Sequence, residues 1–495
     1  MVPRLLRLSV WLLATMSVAV ALHGLAQWQL HRQLVHEAAV FLAPLARGDT
    51  PYRWPLRKPG DLVGRRVFGD CDIAFDRGGL VLRRGSRTCE IGVPLRTPLD
   101  LKRFDRLEII SATPLPSFWL VLREQLDQPQ QIAQVTATEQ TPLQAQLGQL
   151  AWRLDSGEVR PPPSRAAMLR LRFGELTQDL RVQAIALQPQ TPLDWVAATW
   201  LPADNATESL ASAQFPLFRV DGSPRPETVL GWRDLLRERE PASLMVFGDD
   251  VGSVTAAMHE TPSHPGRAVS AWPWALVGVV ALAMLATFVR PAGPVWMRAS
   301  LQAVLALILP VWLVVGLQLG DDLGRPAAAA IAVSLLYAVA LACTDTATRG
   351  HWIGSPRAWL RASAAPLVAL GLVLILGRPG AHAAISVADV IAYALWALLQ
   401  QYLICVVFAD RLYRVGLPAR WTVLAAAGLF ALLHTPNATL MLATFCGGLI
   451  WTALWLRERS LIPLALSHAT AALLLGSGLP PTVLRSAEVS LRYYL

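Results

Sequence analysis

Lysine is almost missing from this chain: Lys58 and Lys102 are the only two, although the formal net charge is +9. The excess positive charge is therefore arginine, and much of it lies in short loops between apolar runs. That distribution orients a membrane protein and offers no continuous phosphate-binding face, which excludes nucleic acid as a partner. Charge of either sign is scarce, at 16% of residues, against 54% hydrophobic residues and a mean hydropathy of +0.40. Such a composition excludes an ordinary soluble protein and reads as an integral protein of a lipid bilayer. Cysteine is sparse too, and its five copies are split. Cys343, Cys405 and Cys446 fall in apolar runs, whereas Cys71 and Cys89 lie in a polar region. With that region outside the cytoplasm, a Cys71–Cys89 disulfide closes a loop of about 18 residues and contributes roughly 3 kcal/mol.

What is present, over 495 residues, suffices for two or more units. Heavy use of Arg, Ala and Leu fits a GC-rich bacterial genome. Arg4 and Arg7 precede an apolar run from Leu8 to about Leu25, which reads as a retained signal anchor over 1–26. Ala19-Val20-Ala21 also matches a cleavage site, and either reading sends the next segment across the membrane. Residues 27–190 are polar, Pro-rich and strand-patterned. Leu169, Leu171 and Phe173 alternate with Arg170, Arg172 and Gly174, the period of a half-buried strand. Similar runs at Ile73–Phe75, Leu80–Leu82, Leu107–Ile110, Phe118–Leu122, Ile132–Val135 and Val182–Leu187 predict a β-sandwich, jelly-roll-like, with an envelope glycan or protein as its ligand. No Asp or His cluster with metal-ligand spacing stands out there. Residues 191–270 read as a mixed extension, with Gly252–Gly266 as a linker back to the membrane; Asn205-Ala-Thr207 matches a glycosylation pattern that a bacterial chain does not use.

Eight apolar runs occupy 271–476, at about 271–289, 299–318, 326–343, 363–377, 387–409, 419–435, 438–456 and 461–476, each long enough or nearly so to span about 30 Å. With the N-terminus inside, Arg290, Arg298, Arg349, Arg357, Arg361, Arg411, Arg414, Arg420, Arg457 and Arg459 all fall on the cytoplasmic side. Arg325, Arg378, Asp321 and Asp322 fall on the other. Trp272, Trp274, Trp296, Trp421 and Trp455 lie near span ends, as interfacial belts do. The expected fold is an α-helical polytopic membrane bundle of about eight spans plus an N-terminal anchor. It carries an inserted extracytoplasmic all-β domain and an extracytoplasmic tail over 477–495. The expected location is a bacterial inner membrane.

Polar residues at bilayer depth are costly, so those inside the spans mark either a site or helix-to-helix glue. Gln400-Gln401 lies within one span, with Cys405 one turn on from Gln401. Phe430 and His434 share a face at the end of the next, where Pro436 breaks the helix. His468 sits in the last span, with Ala472 one turn further. As glue, each is worth about 0.6–2 kcal/mol. As a site, two histidines and an amide pair converge on one polar pocket.

The spacing resembles the CPBP family, the CAAX-protease and bacteriocin-processing membrane peptidases. Their pattern is Glu-Glu-x-x-x-Arg, then Phe-x-x-x-His often followed by x-Pro-Asn, then a late His-x-x-x-Asn/Asp. Here Phe430-Ala-Leu-Leu-His434-Thr-Pro-Asn437 is intact, and Phe445-Cys-Gly-Gly448, Arg459-Ser-Leu-Ile-Pro463 and His468 fit the rest. The resemblance covers about 386–475. It implies that the first glutamate activates water for peptide hydrolysis, while the histidines stabilise an oxyanion or hold a divalent metal at His434 and His468.

This chain departs from the pattern at the glutamates, now Gln400 and Gln401, at the arginine, now Cys405, and at the late Asn/Asp, now Ala472. A glutamine amide accepts no proton near neutral pH and is no general base. Between 386 and 476 the only acids are Asp389, Asp410 and Glu458. Asp389 and Asp410 lie roughly 13–18 Å along the helix from the glutamines. Losing both signs of charge together leaves a neutral, still polar pocket, as in a pseudoenzyme kept to bind a transmembrane or lipidated polypeptide. The alternatives are an active peptidase with altered chemistry, such as a Cys405 nucleophile beside a histidine base, and a transporter, which would need more charge along its pathway.

Overall fold

The computed structural model describes residues 2–76, 78–95, 97–136, 142–189, 217–239, 241–260, 272–289, 294–317, 324–344, 352–377 and 386–494. Arg290, Asp321, Asp322, Arg349, Arg378 and the Asn205 triplet lie outside the described residues. The chain divides into two compact units. One comprises residues 1–30, 224–231 and 266–495, and the other 31–223 and 232–265. Helix α1 (Val2–Ala46) contributes to both and continues well past the apolar run that ends near Leu25. The continuation is amphipathic: Leu30, Leu34, Ala38 and Leu42 are buried at helical spacing, a stripe masked in the sequence by intervening polar residues.

The second unit is built on short strands. They are β1 (Arg53–Pro55), β2 (Phe68–Asp70), β3 (Ile73–Asp76), β4 (Gly79–Leu82), β5 (Thr88–Gly92), β6 (Leu99–Asp100), β7 (Arg106–Ser111) and β8 (Phe118–Arg123). They continue as β9 (Gln131–Val135), β10 (Leu143–Gln146), β11 (Trp152–Leu154), β12 (Arg165–Ala166), β13 (Met168–Phe173) and β14 (Leu180–Gln188). Two six-stranded sheets result. One runs β10-β7-β14-β4-β3 with β1 also on β14, and the other β11-β9-β8-β13-β5-β2. Alternation decides which face goes in: along β13, Leu169, Leu171 and Phe173 are buried while Arg170 and Arg172 are half-exposed. They share one core with Leu107, Ile109, Ile185 and Leu187 of the other sheet, which makes the unit a sandwich. Cys71 and Cys89 form a disulfide with Cα atoms 5.5 Å apart.

Beyond the sandwich, β15 (Leu217–Val220) pairs in parallel with β16 (Leu244–Phe247), and helix α2 (Pro226–Arg239) supplies the crossover that parallel pairing requires. Helix α3 (Val251–Glu260) comes next, inside the stretch expected as a linker from Gly252. Val254 and Met258 are buried at i, i+4 and hold it to the core, so an apolar pair outweighs the glycine and prolines around it. The Arg233 side chain, 1% exposed, donates to Glu37 at 3.0 Å, and Arg237 donates to the same carboxylate at 2.8 Å.

Among the described residues eight helices, α1 included, are long and apolar enough to cross a bilayer. After α1 come α4 (Trp272–Val289), α5 (Val295–Val311) with a π-helical turn over Trp312–Gly316, and α6 (Arg325–Thr344). Next, α7 (Pro356–Ala362) and α8 (Ala364–Leu376) make one crossing. The following crossing, Val387–Arg414, joins α9 (Val387–Gln401), a π-helical stretch over Tyr402–Ala409, and α10 (Asp410–Arg414). A shorter apolar helix, α11 (Ala419–Leu432), precedes α12 (Ala438–Glu458) and α13 (Leu461–Gly478). Exposed Leu282, Leu336, Leu374 and Leu395 give the lipid-facing surface. The eight runs expected from Ala271 onward are thus helices, and the chain is a multi-pass membrane helical bundle with a separate β domain. Helices α11 and α12 approach closely at Gly448, where an added Cβ would stand 2.9 Å from Ala427 Cα.

Candidate functional site

Four helices position the polar residues singled out in the sequence. Gln400 and Gln401 are the last residues of α9, immediately before the widened π-helical stretch, a feature frequent at functional sites. His468 stands mid-way along α13 and Trp451 along α12. Phe430 is near the end of α11, while His434 lies just past its last residue, Leu432, in the turn that holds the cis Thr435–Pro436 bond. Pro436 ends the helix as its missing N–H dictates.

These side chains meet. Cys405 Sγ donates to Gln401 Oε1 at 3.2 Å, and Gln401 Nε2 lies 3.4 Å from His468 Nδ1. In this chain of bonds the amide donates to Nδ1, so the neutral His468 ring carries its proton on Nε2. His434 is the opposite tautomer: Nδ1 donates to the Phe430 carbonyl at 2.7 Å, which leaves Nε2 an acceptor. The Phe430 ring stands between the imidazoles, edge-to-face with His434 at 4.9 Å and with His468 at 5.4 Å. Trp451 packs against His468 at 4.7 Å and donates to Ser467 Oγ at 3.0 Å. Gly447 makes room for that indole, since a Cβ there would come 2.5 Å from it.

Gln400, Phe430, His434, His468 and Ala472 line one cavity of about 1130 Å³. Gln401 and Cys405 stand behind it, supporting His468. The rest of the wall is largely apolar, with Leu335, Leu372, Trp396 and Leu403 among its members. Gln400 Oε1 is buried and has no hydrogen-bond partner among the described residues.

Two parts of the site left no signal in the motif. One is the pair of π-helical stretches, which no hydrophobic periodicity reports. The other is the segment after α13, from which Leu484, Glu488 and Arg492 line the same cavity. Asn437 holds that segment: Nδ2 donates to the Ser486 carbonyl at 2.7 Å and the Glu488 carbonyl at 3.3 Å, while Oδ1 caps α12 through the Leu440 N–H at 3.1 Å. The Ser490 N–H reaches the Thr435 carbonyl at 2.7 Å, and Ser490 Oγ the Val314 carbonyl at 3.0 Å.

The acids between 386 and 476 are all engaged elsewhere. Asp389 caps α9 through Ser386, Asp410 pairs with Arg414 and Arg459, and Glu458 pairs with Arg361. Glu488 is the one carboxylate among the described residues on the cavity wall, 3.4 Å from Arg492. A divalent metal at His434 and His468 is not matched by the donors: no three His, Cys, Asp or Glu gather among the described residues. Two imidazoles fall short of the three protein ligands of a catalytic zinc, so no step is routed through one.

No curated protein matches the chain. Residues 385–474 match a family model, that of the Type II CAAX prenyl endopeptidase Rce1-like proteins. The segment that carries Gln400, Gln401, His434 and His468 is therefore similar to the Rce1-like endopeptidase domain, in line with the CPBP resemblance.

Proposed function

We propose that this membrane protease-like protein binds a transmembrane or lipidated polypeptide without hydrolysing it. The observation behind this reading is the amide pair. Where the family resemblance implies a water-activating carboxylate stands Gln400, and next to it Gln401 is tied into a neutral chain between Cys405 and His468. Neither amide takes a proton from water. Beside it, the buried Gln400 Oε1 costs about 1–3 kcal/mol while it lacks a donor, and a backbone N–H of a bound polypeptide would satisfy it. The apolar remainder of the wall suits a lipid-like or membrane-embedded neighbour. The arginine distribution supports a bacterial inner-membrane setting with the N-terminus cytoplasmic and the β-sandwich outside, where an envelope glycan or protein is its ligand.

One observation favours a second reading, hydrolysis with altered chemistry. Glu488 supplies a carboxylate to the cavity from outside the motif region. Two variants separate the readings. Gln400→Glu/Gln401→Glu/Cys405→Arg is expected to create peptidase activity toward a membrane-embedded substrate in a site that keeps the geometry. Wild-type cleavage that disappears in Glu488→Gln, with the fold intact, would establish the second reading and defeat the first.

A further inference from the structure

Along β13 the buried Leu169, Leu171 and Phe173 point into the sandwich, so Arg170 and Arg172 point away from it. Strand register extends that outer face across the whole sheet. Arg172 stands opposite Trp119 of β8 on one side and Glu90 of β5 on the other, and Glu90 stands opposite Phe68 of β2. On edge strand β11, Trp152 is buried and Arg153 faces outward. The stripe from Phe68 to Arg153 crosses all six strands, five intervals and roughly 24 Å.

Its charge is unbalanced. Glu90 accepts from both Arg170, at 3.1 Å, and Arg172, at 2.5 Å. Arg66 and Arg153 form no ion pair among the described residues, and Asp70, at the β2 edge, is a second acid on this face. Instead, the guanidiniums lie on aromatic rings. Arg153 sits 4.6 Å from the Trp119 centroid, and Arg170 and Arg66 sit 4.3 Å and 5.0 Å from that of Phe68. Stacking holds a guanidinium flat without cancelling its charge or using its N–H groups. It also covers the rings, denying them to a nucleobase stack or a bilayer. Arg170 and Arg172 spend part of their N–H groups on Glu90, and Arg170 Nε is buried; the N–H groups left over, with those of Arg66 and Arg153, suit carboxylates.

We propose that this face binds an acidic polysaccharide, a polymer of carboxylate-bearing sugars laid across the strands from Phe68 to Arg153. The length of the stripe exceeds what a single small anion needs. This role narrows, and rests on, the reading of the β-sandwich as envelope-binding; it is independent of the cavity's chemistry.

The test uses the full chain in neutral detergent, with polygalacturonate as probe, neutral dextran as control and vesicles containing phosphatidylglycerol as the membrane arm. Polygalacturonate is expected to bind, more weakly as salt rises, while dextran does not. Arg170→Gln with Arg172→Gln lowers the affinity about tenfold or more. Glu90→Gln removes the central negative charge and raises the affinity, an outcome that a merely structural Glu90 would not give. The proposal is overturned if polygalacturonate fails to bind, if the double arginine variant binds as well as wild type, or if Glu90→Gln binds more weakly. It is also overturned if the vesicles bind and polygalacturonate does not compete. Retained binding of an isolated envelope fraction, without competition by polygalacturonate, sinks this face and leaves the envelope reading standing.

Discussion

Asn437 offers a sharp test of how the cavity is closed. Its side chain is fully buried and does two jobs at once, capping α12 with Oδ1 and holding the 486–488 backbone with Nδ2. Asn437→Asp separates them. The carboxylate still caps the Leu440 N–H, and its charge at a helix N-terminus adds about 0.3–1 kcal/mol. The two bonds to the Ser486 and Glu488 carbonyls are lost, at about 1 kcal/mol each, and an oxygen now faces two other oxygens. A net loss of about 2 kcal/mol from the docked segment means roughly 30-fold more of its open state. Trypsin cleavage after Arg485, which lies in that segment, reports the open population directly. Cleavage of Asn437→Asp should rise roughly 30-fold over wild type, and Asn437→Ala should in addition lose about 1 kcal/mol of cap. An Asp variant cleaved at the wild-type rate would refute the assignment of Asn437 as the clasp.

Other consequences are open to equally direct measurement. Gly448→Val pushes a side chain into Ala427 of α11 and should lower thermal stability in detergent by about 1–3 kcal/mol, whereas Gly278→Val, with nothing within 4 Å, should not; equal behaviour of the two would contradict the close approach. Glu37→Gln leaves the buried Arg233 without its main carboxylate and should destabilise the β unit by about 3–5 kcal/mol, read from its thermal unfolding. Replacing Cys71 and Cys89 by serine should cost that unit roughly 3 kcal/mol, seen as a lower denaturant midpoint that reducing agent reproduces in the wild type.

The membrane helices were legible because bilayer thickness forces long apolar runs, and the sandwich because alternation along Leu169–Phe173 leaves one arrangement of faces. The pocket histidines were legible through their cost at bilayer depth. Two things were not. The amphipathic continuation of α1 and the short α3 bury only a few side chains each, against partners that lie far off in sequence. The cavity wall contributed by Leu484–Arg492 has no apolar run and no motif. Its placement depends on the Asn437 amide donating to backbone carbonyls and on the Thr435 carbonyl accepting a backbone N–H, groups that any sequence possesses. The acid it brings, Glu488, therefore carries no signal in the spans themselves.

The neutral chain from Cys405 through Gln401 to His468 also sets the order in which a Glu-Glu-x-x-x-Arg pattern can be built into this site. In a variant of this site carrying Glu-Glu-x-x-x-Arg, replacing one glutamate leaves the arginine paired with the other. Replacing both first strands a guanidinium at a position that is now completely buried, at several kcal/mol. A glutamate can shed its charge by taking up a proton, and an arginine cannot. An arginine at position 405 therefore needs an acid at 400 or 401 in place before it or together with it. Building that pattern here is thus directional: an acid first, the arginine only once a partner awaits it.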